Sequence, residues 1–134
     1  MSMFSIFGVS GSAVSAQSQR LNVVASNLAN ADAVAGPDGQ AYKARHILFQ
    51  TVPMGGPGHA GVKVQDIRES EEPGRRVHAP HHPSAGEDGY VTHSNVNPVE
   101  EMVNMISASR SYQNNVEVMN TAKTLLLKTL QMGQ

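Results

Sequence analysis

The chain has 134 residues, a formal net charge of −1 and no cysteine. Near-neutral charge gives no electrostatic footprint for nucleic acid, and the absence of thiols excludes disulfides. With three Phe, three Tyr and no Trp, large core-filling side chains are scarce, so a chain of single-domain length has little to bury by itself.

From the N-terminus, Met1-Ser2-Met3-Phe4 has no basic leader, and Ser5, Gly8 and Ser10 interrupt the apolar run. Any passage out of the cytoplasm is therefore expected without a cleaved Sec-type signal. Nor does any segment reach the roughly 18 apolar residues needed to span a bilayer.

Residues 4–31 carry a heptad of large and small side chains: Phe7, Gly11, Val14, Ser18, Leu21, Ala25 and Leu28. Steps alternating between four and three keep these residues on one helix face and suit packing against another helix. Arg20 is the only charged residue before Ala31, and a second stripe of Ile6, Val9, Ala13, Ala16 and Val23 is itself mildly apolar. A helix that is small or apolar nearly all round is buried all round or incompletely folded alone. In so short a chain this predicts that neighbouring subunits cover it.

The middle segment, residues 32–94, differs in kind. Eight of the eleven acidic residues fall between Asp32 and Val96, with most of the Pro and Gly. Gly36-Pro37-Asp38-Gly39 is turn chemistry. Tyr42–Val52 and Val62–Ile67 read as strands, with a short third strand at Gly89–Thr92 and a breaker cluster at Gly55–Gly58. The expectation is a small β-rich, loop-rich knob.

Residues 98–132 form the best-marked element. Asn97 is placed to cap a helix with Pro98 at its first position and Glu100 at its third. The helix would run about 50 Å. Its stripe is Met105, Ala108, Tyr112, Asn115, Met119, Ala122 and Leu126, with Ile106 and Val116 on the outer side. Asn115 is either a buried register-setting residue or a solvated edge position. The predicted fold class is α+β: two long terminal helices paired as an antiparallel coiled-coil-like arm, residues 1–31 and 95–134 making the terminal helical domain and the knob lying between them.

Chemistry is harder to find. His78, His81 and His82 form the only histidine cluster, and Glu87 or Asp88 could add a ligand. Prolines hold that segment extended, with no helix or strand to fix ligand geometry, so a solvated loop is the better reading. Gly8-Val9-Ser10-Gly11-Ser12 fails the nucleophile-elbow pattern because Ser12 stands where a glycine is required. Nothing assembles a nucleophile, a base and an orienting group, so no enzyme activity and no cofactor are expected. Two alternatives stand beside an assembly protein: a small metal-binding protein or enzyme using His78, His81 and His82, and a discrete helical oligomeric adaptor.

The segment Ser26-Asn27-Leu28-Ala29-Asn30, followed by Tyr42-Lys43, resembles the N-terminal signature of bacterial flagellar axial proteins, the family of rod, hook and hook-associated subunits. The block His82-Pro83, Asp88-Gly89-Tyr90, Asn95-Val96-Asn97 and Glu100-Glu101-Met102 is similar to its proximal rod members in particular, and the resemblance covers essentially the whole chain. It implies a non-enzymatic subunit exported by the flagellar type III apparatus. Such a subunit polymerises into the drive shaft across the periplasm, with terminal helices inside and the middle segment outside. Implied partners are copies of itself, other proximal and distal rod proteins, and the export-gate or ring adaptor at the rod base. Binding of nucleic acid or a small-molecule substrate is not implied.

Overall fold

The computed structural model describes residues 3–133. Helix α1 spans Met3–Ala29 and α2 spans Pro98–Met132. Between them lie strands β1 (Arg45–Pro53), β2 (Ala60–Glu69), β3 (Arg76–His78) and β4 (Tyr90–Thr92). β1 and β2 form one two-stranded sheet, β3 and β4 a second. The architecture is α+β. Among the described residues, no helix is long and apolar enough to cross a membrane.

α2 begins as its sequence dictates. Asn97 Oδ1 accepts from the amides of Val99 at 3.1 Å and Glu100 at 3.3 Å, using donors that the first turn leaves without partners. α1 ends at Ala29 rather than Ala31, in a turn closed by the Asn30 amide on Ser26 and Asn27 carbonyls. β1 starts three residues later than expected, because the Tyr42 hydroxyl and the Ala44 amide are drawn onto the side chains of Asn27 and Asn95 instead of into a ladder. β3 is an addition to the sequence reading. Its three exposed residues pair Arg76 with Thr92, Val77 with Val91 and His78 with Tyr90.

By their contacts the residues fall into two units. The first holds residues 1–21, 47–66 and 106–134. Its buried side chains on α1 and α2 are all small: Ser10, Ala16, Ala108 and Ala122. Gly61 is buried beside α1, where an added Cβ would stand 2.8 Å from Ser12 Oγ. The Ser12 hydroxyl donates to the Val9 carbonyl at 2.7 Å and accepts from the Val62 amide at 3.1 Å, tying the helix to β2. Close approach without a large core is what this helix composition permits.

The second unit holds residues 22–46 and 67–105. Ala31, Ala44 and Val96 form its apolar centre, with Tyr42 packed against them. Val91 and Asn27 are the largest fully buried side chains among the described residues. Ser94 Oγ donates to the Ala31 carbonyl at 2.7 Å, and its backbone amide donates to Ala33, fastening the strand after β4 to the turn after α1.

Candidate assembly site

Two kinds of surface carry the functional argument: a buried polar junction that fixes the helix ends, and the faces of the helices. At the junction, Asn27 is fully buried and uses all its hydrogen-bonding capacity. Its Nδ2 donates to the Arg45 carbonyl at 2.8 Å and to Glu101 Oε2 at 3.1 Å. Its Oδ1 accepts from the Tyr42 hydroxyl at 2.8 Å and the Arg45 amide at 3.0 Å. A buried amide is tolerated only when its donors and acceptors are met, and here they are. Burial raises the Tyr42 hydroxyl above its usual value, against the lowering field of Arg45, so it stays a proton donor to Asn27.

Asn95 makes a second junction. Its Oδ1 accepts from the Ala44 amide at 2.6 Å, and its Nδ2 donates to the carbonyls of Glu72 at 2.8 Å and Ser70 at 3.2 Å. Residues from the two motif blocks of the sequence therefore meet. Asn27, Tyr42, Asn95, Asn97 and Glu101 together order the last turn of α1, the start of β1 and the first turn of α2.

Asp88 and Gly89 shape the turn before β4. Gly89 has φ +78°, a backbone conformation that L side chains rarely adopt. Asp88 accepts from the Tyr90 amide at 3.2 Å and pairs with Arg76. Both interactions hold its carboxyl below the usual carboxylate range, the backbone hydrogen bond first. The Arg76 guanidinium lies 5.0 Å from the Tyr90 ring centre. Of the remaining motif residues, Asn30 folds back onto the Ser26 carbonyl at 2.8 Å, Leu28 is half-buried, and Ala29, His82, Pro83, Glu100 and Met102 are exposed.

The stripe of α2 lies on its covered side. Ala108 and Ala122 are buried, and Met105, Tyr112, Asn115, Met119 and Leu126 are half-buried. Asn115 donates to the Ser111 carbonyl of its own helix at 2.8 Å. On α1 the stripe is divided. Phe7, Gly11, Val14, Leu21 and Leu28 are half-buried, whereas Ser18 and Ala25 face out and the buried positions are Ser10, Ala16, Val24 and Asn27. Of the outer residues, Val9, Ala13, Val23 and Val116 are half-buried and Ile106 is exposed. In the first unit, Ile6, Val118, Ala122 and Leu125 line an open apolar depression of about 450 Å³.

The histidine cluster goes elsewhere. His78, His81 and His82 are exposed. His78 lies edge-on to Tyr90 at 5.0 Å, and His82 Nδ1 accepts from the Ser84 amide at 3.0 Å. Among the described residues no three His, Asp or Glu side chains are placed to share a metal ion, so the metal-site alternative is not favoured. Sequence reasoning missed Ser12, Arg45, Gly61 and Ser94. Ser12, Arg45 and Ser94 act through hydrogen bonds involving backbone groups and Gly61 by lacking a side chain, none of which leaves a periodic signal.

This is the equipment of a subunit that assembles: interlocked helix ends and helix faces with apolar side chains uncovered. Comparison with known proteins agrees. Residues 7–37 match the model of the flagella basal body rod protein family, and residues 87–132 match that of the flagellar basal body rod FlgEFG protein C-terminal region. Full-length relatives are named flagellar basal-body rod protein FlgC. The chain is 56% identical to those of Escherichia coli O6:H1 and Yersinia enterocolitica, and 54% to that of Salmonella typhimurium, over 134 residues and the whole of each chain. The chain belongs to the FlgC family of flagellar basal-body rod proteins. It is a structural subunit of the bacterial flagellar rod.

Proposed function

We propose that this subunit builds the proximal part of the rod and transmits torque through its terminal helices, without catalysing a reaction. The observation that carries this reading is the set of uncovered apolar side chains on α2: Val99, Met102, Val103 and Ile106 near its start and Leu125 and Leu130 near its end are about half or more exposed. Burying such a side chain is worth roughly 1.5–3 kcal/mol, so several together favour association strongly. The two helices pair as an antiparallel arm, with Phe7, Val14, Leu21 and Leu28 facing Met105, Tyr112, Met119 and Leu126. Gly11, Ser18 and Ala25 allow close approach, and Val9, Ala13, Val23, Ile106 and Val116 face neighbouring subunits. Residues 1–31 and 95–134 form the inner, polymerising layer and residues 32–94 the outer knob.

The same reading supplies partners and place. Copies of this chain, proximal and distal rod proteins and the adaptor at the rod base are its neighbours, reached by type III export into the periplasmic space. Motility of cells carrying Met119→Asp tests it against His81→Ala. The first should be non-motile and the second should swim normally. Swimming by the first with loss in the second would overturn it.

A further inference from the structure

The pattern Gly-x-Asp-Gly occurs twice, as Gly36-Pro37-Asp38-Gly39 and as Gly86-Glu87-Asp88-Gly89, and both copies lie in the second unit. They fold into the same turn. The amides of Gly39 and Gly89 each donate to the carbonyl of the first glycine at 2.9 Å, and both have left-handed φ, +76° and +78°. Each aspartate Oδ1 accepts from the amide two residues on, that of Gln40 at 3.1 Å and of Tyr90 at 3.2 Å.

Their surroundings differ. Asp88 is paired with Arg76, and Gly89 is buried, its added-Cβ position 3.2 Å from His78 Nε2 and 3.3 Å from Pro80 Cβ. The Gly86 amide closes that turn on the Tyr90 carbonyl at 3.0 Å, beside the β3–β4 ladder. Residues 36–40, by contrast, are all exposed, and nothing lies within 4 Å of a Cβ at Gly39. Their closing bond, from the Gly36 amide to the Gln40 carbonyl, is 3.4 Å, and among the described residues no ion pair reaches Asp38.

We infer that Asp38-Gly39 is a site of spontaneous backbone modification, where Asp38 converts to isoaspartate, and that the clamped Asp88-Gly89 copy is spared. The Gly39 nitrogen attacks Asp38 Cγ and forms a C–N bond, and the acid's hydroxyl leaves as water with the amide proton. Water then opens the resulting succinimide. Attack at the main-chain carbonyl leaves the chain running through the side-chain carbonyl, and attack at the other restores aspartate. Glycine leaves the attacking nitrogen unhindered in both copies, so the difference lies in what holds each turn. That nitrogen is tied to a glycine carbonyl, so the ring closes only when the turn opens, and opening is easiest where little packing or pairing opposes it. The Tyr90 amide and Arg76 moreover hold the Asp88 carboxyl ionised, without the hydroxyl that must leave. Isomerisation adds a methylene to the main chain at residue 38 and takes its carboxylate from under the Gln40 amide. The loop that follows the Val34–His93 bridge is thereby reshaped without a break in the chain.

Trypsin separates the two copies, because cleavage after Arg20 and Lys43, and after Arg76 and Arg110, places them in different peptides. The full-length chain is aged in warm neutral buffer and digested. Isoaspartate in each peptide is then counted with an isoaspartyl methyltransferase and radiolabelled S-adenosylmethionine, which esterify the freed α-carboxylate. In the folded chain Asp38 should isomerise at least about fivefold faster than Asp88, and in concentrated urea the two should become alike. Arg76→Ala should raise the rate at Asp88 and leave Asp38 unchanged. Asp38→Glu, whose longer side chain closes such a ring far more slowly, should remove the signal from the first peptide and so distinguishes Asp38 from the asparagines beside it. A smaller ratio in the folded chain, a ratio that persists in urea, no rise at Asp88 without Arg76, or a signal that survives Asp38→Glu would overturn the inference.

Discussion

Asn27, in the last turn of α1, donates a 3.1 Å hydrogen bond to the buried carboxylate of Glu101, 74 residues later in the first turn of α2. Both side chains are buried, Glu101 at 3% exposure. Through the other contacts of Asn27 the same point fixes Tyr42 and Arg45. The junction sets how the ends of two helices and the first strand enter the second unit, and any assembly built on those helices inherits its geometry.

Removing the amide should therefore be expensive. Asn27→Ala leaves the Tyr42 hydroxyl, both Arg45 backbone groups and Glu101 short of a partner, each worth about 1–3 kcal/mol when buried and unsatisfied. We expect a loss of roughly 3 kcal/mol or more in urea denaturation followed by Tyr fluorescence. Tyr42→Phe removes a single hydrogen bond and should cost about 0.5–1.5 kcal/mol. Equal effects from the two would contradict the junction.

Gly61 offers a steric test in the first unit. A Cβ there would stand 2.1 Å from Met54 Sδ and 2.8 Å from Ser12 Oγ, and the Ser12 hydroxyl is held by two hydrogen bonds. Met54 can move aside; Ser12 cannot without giving up Val62. Gly61→Ala should cost about 1–3 kcal/mol by overpacking, read as a lowered thermal midpoint. An unchanged midpoint would show that α1 and β2 are not held this closely.

The pH response has two limbs of opposite sign. The folded-state pKa of Asp88 lies below its ordinary 3.8, so its stabilisation is complete above that value and disappears as pH falls through the folded value. Asp88→Asn should remove that acid-side component. Tyr42 is raised above 10.0, so the folded state holds its proton more tightly and stability falls as pH rises beyond 10. Tyr42→Phe should flatten the alkaline limb. Denaturation midpoints measured from pH 2.5 to 5 and from pH 9 to 11.5 check both, and an unaltered limb in either variant would refute that assignment.

The helices were legible because their signals are local. Asn97, Pro98 and Glu100 mark the start of α2, and the three–four spacing from Met105 to Leu126 marks its covered side. Strand β3 was not legible, since three exposed residues bounded by Pro73-Gly74 and Pro80 show no alternation and pair only because β4 lies beside them. The buried face of α1 was displaced for a related reason. Periodicity selects the most apolar stripe, whereas burial in the single chain follows Ala16, Val24 and Asn27, where small volume and satisfied hydrogen bonds decide. Asn27 and Glu101 were recognisable as motif residues, but their meeting is tertiary and no spacing along the chain announces it.

The most direct measurement of the central claim is electron microscopy of basal bodies from cells in which the gene for this chain is deleted. The account predicts particles that stop at the membrane-embedded ring, with neither rod nor hook, restored by the intact gene. Complete rods and hooks in the deletion strain would contradict it.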